Sequence, residues 1–227
     1  MPSIKHVFST AALLAIACGN TQAAIITNPG FLFTLSGHTN GDNGGHATNL
    51  NTTNVPSWQP ATTSGGLAPN VTDKQSIFAN NPNEYLQVQI NSGSGGSMDA
   101  IQVITIPSTG QYQLSMDADR RSDNVNTNGT MILQLWSGSV SSFGSGSPIT
   151  PDAQVSPALT GSFQQFSRTY NSLAAGTYTV RVGGTYGGSG SFFQAGIDNV
   201  DVSAIPEPAS LGLIAVAGGG LLRRRRT

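Results

Sequence analysis

The sequence predicts an all-β protein, a single antiparallel β-sandwich over residues 24–203, with a signal peptide before it and a short apolar helix after it. Three observations carry this. Runs in which every second residue is apolar recur through residues 24–203, the period that sends alternate side chains to opposite faces of a sheet. Gly (28 of 227 residues), Ser, Thr and Asn are abundant, so helix formers are scarce while β-branched and turn residues are plentiful. Between the two ends, no apolar stripe recurs at helical spacing, which removes the alternating strand–helix units of a parallel sheet.

The first strand-like run, residues 24–36, opens apolar and β-branched. Residues 85–90 (YLQVQI) alternate strictly and put Leu86, Val88 and Ile90 on one face. Residues 101–106 (IQVITI) are apolar at Ile101, Val103, Ile104 and Ile106, and residues 111–116 alternate through Tyr112, Leu114 and Met116. Residues 130–136 (TMILQLW) are more continuously apolar, which places Trp136 in the core. Runs at 163–170, 177–183 (TYTVRVG) and 192–202 complete a set of eight. Pro107-Ser108-Thr109-Gly110 and Ala174-Ala175-Gly176 each join two such runs and read as hairpin turns. The alternation implies that each sheet buries one face and wets the other. Residues 37–83 and 138–162 are long, polar and without strand signal; loops of that length are functional or mobile.

Only 9% of residues are charged and the net charge is -1, with the arginines concentrated at the C-terminus. That leaves no electrostatic footprint for nucleic acid. No GxSxG, HExxH or Walker loop occurs, and residues 24–203 hold no cysteine and only two histidines. General bases near neutral pH are therefore few, and the protein is expected not to be an enzyme. A hydrolase using a carboxylate pair is the minor alternative, although nothing marks Glu84 and the aspartates as a pair.

The two ends are addresses. Residues 1–23 have the parts of a signal peptide: a basic start (MPSIKH), an apolar core (VFSTAALLAIA) and a polar end (CGNTQA). Thr21 and Ala23 put small residues where cleavage requires them, so a cut after Ala23 is expected and removes the one cysteine, Cys18. A lipidated Cys18 is the rival, and Ala15-Ile16-Ala17 before it fits that pattern poorly. The other end, residues 204–227, runs Pro206-Glu207-Pro208, an apolar stretch at 209–222, then Arg223, Arg224, Arg225 and Arg226. As a helix the stretch reaches about 21 Å, against about 30 Å for the hydrocarbon core of a bilayer. The arginines act as a cytoplasmic stop. A plain single-span anchor is the simpler reading of the same tail.

This tail resembles the PEP-CTERM sorting signal of Gram-negative bacteria. The resemblance implies export through the Sec translocon, transient insertion in the inner membrane, and recognition of Pro206, Glu207 and Pro208 by an exosortase. The destination is then the cell surface or an extracellular, exopolysaccharide-rich biofilm matrix. Residues 24–203 resemble galactose-binding-like jelly rolls of the carbohydrate-binding-module type. The motifs are Asn28-Pro29-Gly30-Phe31, Val55-Pro56-Ser57-Trp58 and Gly196-Ile197-Asp198-Asn199-Val200-Asp201-Val202. That resemblance implies a non-enzymatic, carbohydrate-binding-like domain and, in many members, a structural calcium held by an acidic residue near the start and by the Asp of the last strand. Here Leu32 stands at the first position, which leaves Asp198 as the calcium ligand implied. A structural or adhesive matrix protein without a defined ligand is the alternative function.

Candidate glycan contacts follow. Trp58 and Tyr186 lie in Pro- or Gly-flanked segments and could stack on sugar rings. Asp117, Asp119, Arg120, Arg121 and Asp123 cluster where a strand runs into a loop. There Arg120 could donate to sugar hydroxyls, or the group could be a solvated strand end. His38, Asp42 and His46 share a glycine-rich loop that permits metal ligands to converge without enforcing it. The Asn-x-Thr triplets at Asn51, Asn70 and Asn128 are weak glycosylation signals in an Asn/Thr-rich chain.

Overall fold

A computed structural model describes residues 24–32, 47–61, 70–72, 84–91, 96–120, 129–143, 147–150, 153–155, 163–187 and 192–206. Residues 1–23, expected to be a signal peptide, the loop histidines His38 and His46, and the tail from Glu207 on, with the expected apolar helix at 209–222 and Arg223 to Arg226, lie outside the described residues.

The described chain is all-β. In order its strands are β1 (Ala47–Asn49), β2 (Gln59–Pro60), β3 (Asn70–Thr72), β4 (Tyr85–Asn91), β5 (Gly96–Ile106) and β6 (Gly110–Arg120). They continue with β7 (Gly129–Ser137), β8 (Ala153–Val155), β9 (Gln164–Leu173), β10 (Gly176–Tyr186) and β11 (Phe192–Ala204). Every pairing is antiparallel. Six strands form one sheet in the order β1-β3-β4-β11-β6-β9, and five form the other in the order β2-β5-β10-β7-β8. Between the sheets lies the apolar core, with Leu86, Val88 and Ile90 from β4, Leu114 and Met116 from β6, and Val180 and Val182 from β10. The period-2 runs at 85–90, 111–116 and 177–183 thus point as the alternation requires.

Several local expectations are corrected. Residues 24–32 form bends and turns instead of a strand. Asn28 and Phe31 have left-handed backbones (φ 55° and 54°). The Asn28 side chain accepts from Leu32 N (2.8 Å) and donates to Leu32 O (2.9 Å), so local bonds outcompete a ladder. The stretches at 37–83 and 138–162 contribute the short strands β1, β2, β3 and β8.

The two expected hairpins are arches. β5 belongs to the five-stranded sheet and β6 to the six-stranded one, and β9 and β10 are divided the same way. Each turn therefore carries the chain across the core. Both arches are closed identically: Tyr112 Oη donates to Ser108 O (2.9 Å), and Tyr178 Oη donates to Ala174 O (2.8 Å). Ala175 N donates to Thr109 Oγ1 (3.2 Å), tying one arch to the other. Each tyrosine buries its ring in the core while its hydroxyl satisfies a turn carbonyl. Tyr112→Phe and Tyr178→Phe are each expected to lower stability by about 1 kcal/mol in urea unfolding. An unchanged midpoint in both would remove this role.

Candidate functional site

Alternation puts Thr179, Arg181, Gly183 and Thr185 of β10 on the outward face of the five-stranded sheet, because Tyr178, Val180, Val182 and Tyr186 belong to the core. The register sets Thr179 opposite Trp136 and Arg181 opposite Gln134 on β7; on the other side Gly183 lies opposite Asp99 of β5. This face was expected to be wet, yet Asp99, Arg181, Gln134, Trp136, Ile101 and Ile132 on it are all buried. Trp136 is thus buried as expected, but on the far side of its sheet from the core.

A connected polar network pairs these buried groups, although Asp99 Oδ1 and Arg181 Nε are buried without a hydrogen-bond partner. Arg181 Nη2 donates to Asp99 Oδ2 (2.6 Å), an ion pair, and Arg181 Nη1 donates to Gln134 Oε1 (3.2 Å). The same Gln134 oxygen accepts from Trp136 Nε1 (3.1 Å). Gly183 makes room: a Cβ there would overlap the Met98 carbonyl oxygen and the Asp99 side chain. Burial pushes the Asp99 carboxyl above its usual range, while Arg181 and the Ser97 side chain pull against that shift.

A strap formed by residues 138–143 crosses above. Gly138 leaves β7 with a left-handed backbone (φ 78°), where a side chain would be strained although there is space for it. Gly138 N donates to Thr177 O (2.9 Å), Thr179 Oγ1 donates to Gly138 O (2.7 Å), and Val140 N donates to Thr179 Oγ1 (2.9 Å). So held, Phe143 sits over Arg181, with Cζ 4.3 Å from the ring centre, and meets Trp136 edge-to-face at 4.8 Å. Phe143 is only partly buried, and Val103, across the ladder from Thr179, is 46% exposed. The result is an aromatic ring at the surface, backed by hydrogen-bonding groups.

The residues proposed from sequence fall elsewhere. Trp58 is 0% exposed: its ring lies 4.7 Å from that of Phe31, and its Nε1 donates to Asn28 O (2.8 Å). Tyr186, 3% exposed, ends β10 on its inward face. Neither is a surface platform, which corrects that expectation; the turn through Pro56 and Ser57 brings Trp58 inward, and the alternation of β10 puts Tyr186 on the core side. Arg120 ends β6 opposite Ala195, and its side chain lies outside the description, as do Arg121 and Asp123. Asp117 and Asp119 sit within β6 and not beyond it, and Asp119 is buried.

Asp198 lies opposite Asp117, just before a bulge in β11 at which Asn199 is left-handed (φ 49°). Asn199 N donates to Asp198 Oδ1 (2.7 Å), Asn199 Nδ2 donates to Asp117 Oδ2 (2.9 Å), and Val200 N reaches Pro29 O (3.1 Å). The bulge thus ties the N-terminal strap to the sheet. Burial pushes the Asp198 carboxyl up to about 7, with the Asp117 and Glu84 carboxylates adding to the rise and the Asn199 N–H opposing it. Calcium takes six to eight oxygens, and among the described residues no three His, Cys, Asp or Glu side chains are grouped to hold a metal. These side chains alone do not make the calcium site that the resemblance implies.

The raised pKa has a consequence for stability. Between pH 4 and 7 the folded state holds a proton at Asp198 that the unfolded chain releases, so stability falls as pH rises through that window. Asp198→Asn is expected to flatten the decline between pH 5 and 8 by on the order of 2–3 kcal/mol, read as the pH dependence of the urea midpoint. A wild-type midpoint that rises across this range would contradict it.

No family model matches this sequence, nor does any curated protein. Solved structures do resemble it. A family 61 carbohydrate-binding module in complex with β-1,4-galactotriose is 11% identical, with 80% of this chain and 99% of that chain aligned at a TM-score of 0.44. An arabinose-bound α-L-arabinofuranosidase is 17% identical over 79% of this chain but only 26% of its own, at 0.49. A family 35 carbohydrate-binding module from Clostridium thermocellum is 14% identical over 65% and 92% of the two chains, at 0.38. Likenesses this distant say nothing about a ligand.

Proposed function

We propose that this protein is a non-enzymatic glycan-binding domain, exported by its signal peptide and sorted by its Pro206-Glu207-Pro208 tail to the cell surface or the extracellular matrix. The observation that carries the binding reading is the Trp136–Gln134–Arg181–Asp99 network beneath Phe143. The outward face of an antiparallel sheet can simply be wet. Burying a guanidinium, a carboxylate and an amide there costs desolvation. In return the network holds one partly buried aromatic ring above the Arg181 guanidinium. An aromatic face of this kind packs on the C–H face of a pyranose through dispersion and desolvation.

The test is affinity electrophoresis of the purified domain in a panel of polysaccharides. Phe143→Ala is expected to weaken retention by about tenfold, the 1.4 kcal/mol scale of one lost stacking contact, with an unchanged circular dichroism spectrum. No retention in any polysaccharide sinks this reading. For sorting, the tail implies a Sec translocon and an exosortase-type enzyme as partners, and the measurement is intact mass from the native host. Loss of the chain beyond Pro208 supports processing; a mass retaining Arg223 to Arg226 makes the tail an ordinary anchor.

A second reading is favoured by the complete burial of Asp99. In it the network is a clasp for the strap in a structural or adhesive matrix protein. Retention unaffected by Phe143→Ala, together with lost stability, is its signature.

A further inference from the structure

We infer that the Phe143 face selects uncharged glycan chains over uronate- or sulfate-bearing ones, because its cation, Arg181, is already matched by Asp99. The inference rests on the glycan-binding reading above and adds the ligand class to it. An arginine on such a face would ordinarily argue for an acidic sugar, since its fork binds carboxylates and sulfates through two parallel bonds. Here the fork is occupied: Nη2 is on Asp99 Oδ2, Nη1 is on Gln134 Oε1, and Phe143 covers the guanidinium plane. Only Nε lacks an acceptor, and it is buried.

The pair sums to zero charge, and among the described residues its outward-facing neighbours Val103, Thr105, Thr177, Thr179 and Thr185 carry none. An anionic ligand would shed its hydration and meet no free cation among the described residues of this face, with the Asp99 carboxylate close beneath. A neutral chain meets an aromatic ring, an apolar valine and the hydroxyls of Thr105, Thr177 and Thr185, while the Thr179 hydroxyl is buried and bound to the strap. With a net charge of -1, the whole chain does not draw polyanions to the surface either.

Two measurements test this on the whole domain. Wild-type protein is run in affinity gels containing neutral galactan, xylan or β-glucan, and in gels containing polygalacturonate or alginate, at 50 and 500 mM NaCl. Retention by a neutral polymer, changing less than twofold with salt, is the expected result. Preference for the acidic polymers, or retention that collapses in salt, overturns the inference while leaving glycan binding intact; no retention by any polymer overturns the function itself. The second measurement uses Asp99→Asn, whose amide oxygen can still accept from Arg181 Nη2 while the balancing charge is gone. Its ratio of acidic to neutral retention is expected to rise at least tenfold and to fall again in salt. An unchanged ratio in folded Asp99→Asn counts against the matched pair as the selector. If that variant does not fold, the wild-type salt series decides.

Discussion

Replacing Asp99 with alanine is expected to lower folding stability by about 3–5 kcal/mol, because it leaves Arg181 charged, buried and unpaired. That is a large part of the 5–15 kcal/mol by which a domain is usually stable. The loss has two sources. Arg181 Nη2 gives up a charge-assisted bond of 2.6 Å, and the space above Gly183 that the carboxylate filled becomes a void. The discriminating variant is the pair Asp99→Leu with Arg181→Met. Replacing both partners of a buried ion pair by apolar groups is often neutral or stabilising, so the double variant is expected to recover most of the loss. Urea midpoints of the two single variants and the double variant form a cycle that isolates the pair. Single losses that simply add would mean that Asp99 and Arg181 do not act as a pair. Recovered stability with lost glycan retention would assign the network to binding; recovered stability with retention intact would assign it to the strap.

How far the sequence disclosed this arrangement depends on how local each feature is. Leu86, Val88 and Ile90 declared their sheet face because their neighbours alternate with them, and one buried face enforces that register. The arches at 107–110 and 174–176 did not declare themselves. Pro-Ser-Thr-Gly turns a chain whether the next strand pairs with the last one or crosses to the other sheet, and that choice is made by β10 and β11, far along the chain. The Phe143 face was missed for a related reason. Asp99 and Arg181 meet across 82 residues, and neither stands in a motif. There was nonetheless one signal: Arg181 is the only charged residue in TYTVRVG, and an arginine inside an otherwise strand-like apolar run is seldom buried without a partner. Trp58 was misplaced because Val-Pro-Ser-Trp reads as an exposed turn, while the acceptor for its indole, Asn28 O, comes from another segment.

That relocation turns Trp58 from a binding residue into a stability residue. Trp58→Ala is expected to cost about 3–5 kcal/mol, the range for deleting a buried large aromatic and leaving a cavity. The position is central to how the first described segment docks. Asn28 accepts the indole N–H at its carbonyl, while its side chain binds Leu32 and reaches Pro56 O (3.2 Å). Phe31 packs against the ring at a 32° tilt, and Thr27 is bridged on both backbone atoms by Gln102, at 2.7 Å each way. Removing the indole therefore frees the strap from 24 to 32 as well as opening a hole, so the Trp58→Ala domain is expected to expose residues 24–32 to proteolysis below its unfolding midpoint. Trp58→Phe separates the two contributions. It keeps much of the buried ring and loses only the bond to Asn28, which should cost about 1 kcal/mol together with a smaller void. Glycan retention per folded molecule should be the same in wild type and Trp58→Phe, because the ring faces Phe31 and not solvent. Retention that falls in Trp58→Phe while the urea midpoint holds would return Trp58 to the binding surface and place the ligand at the end of the sandwich instead of beside Phe143.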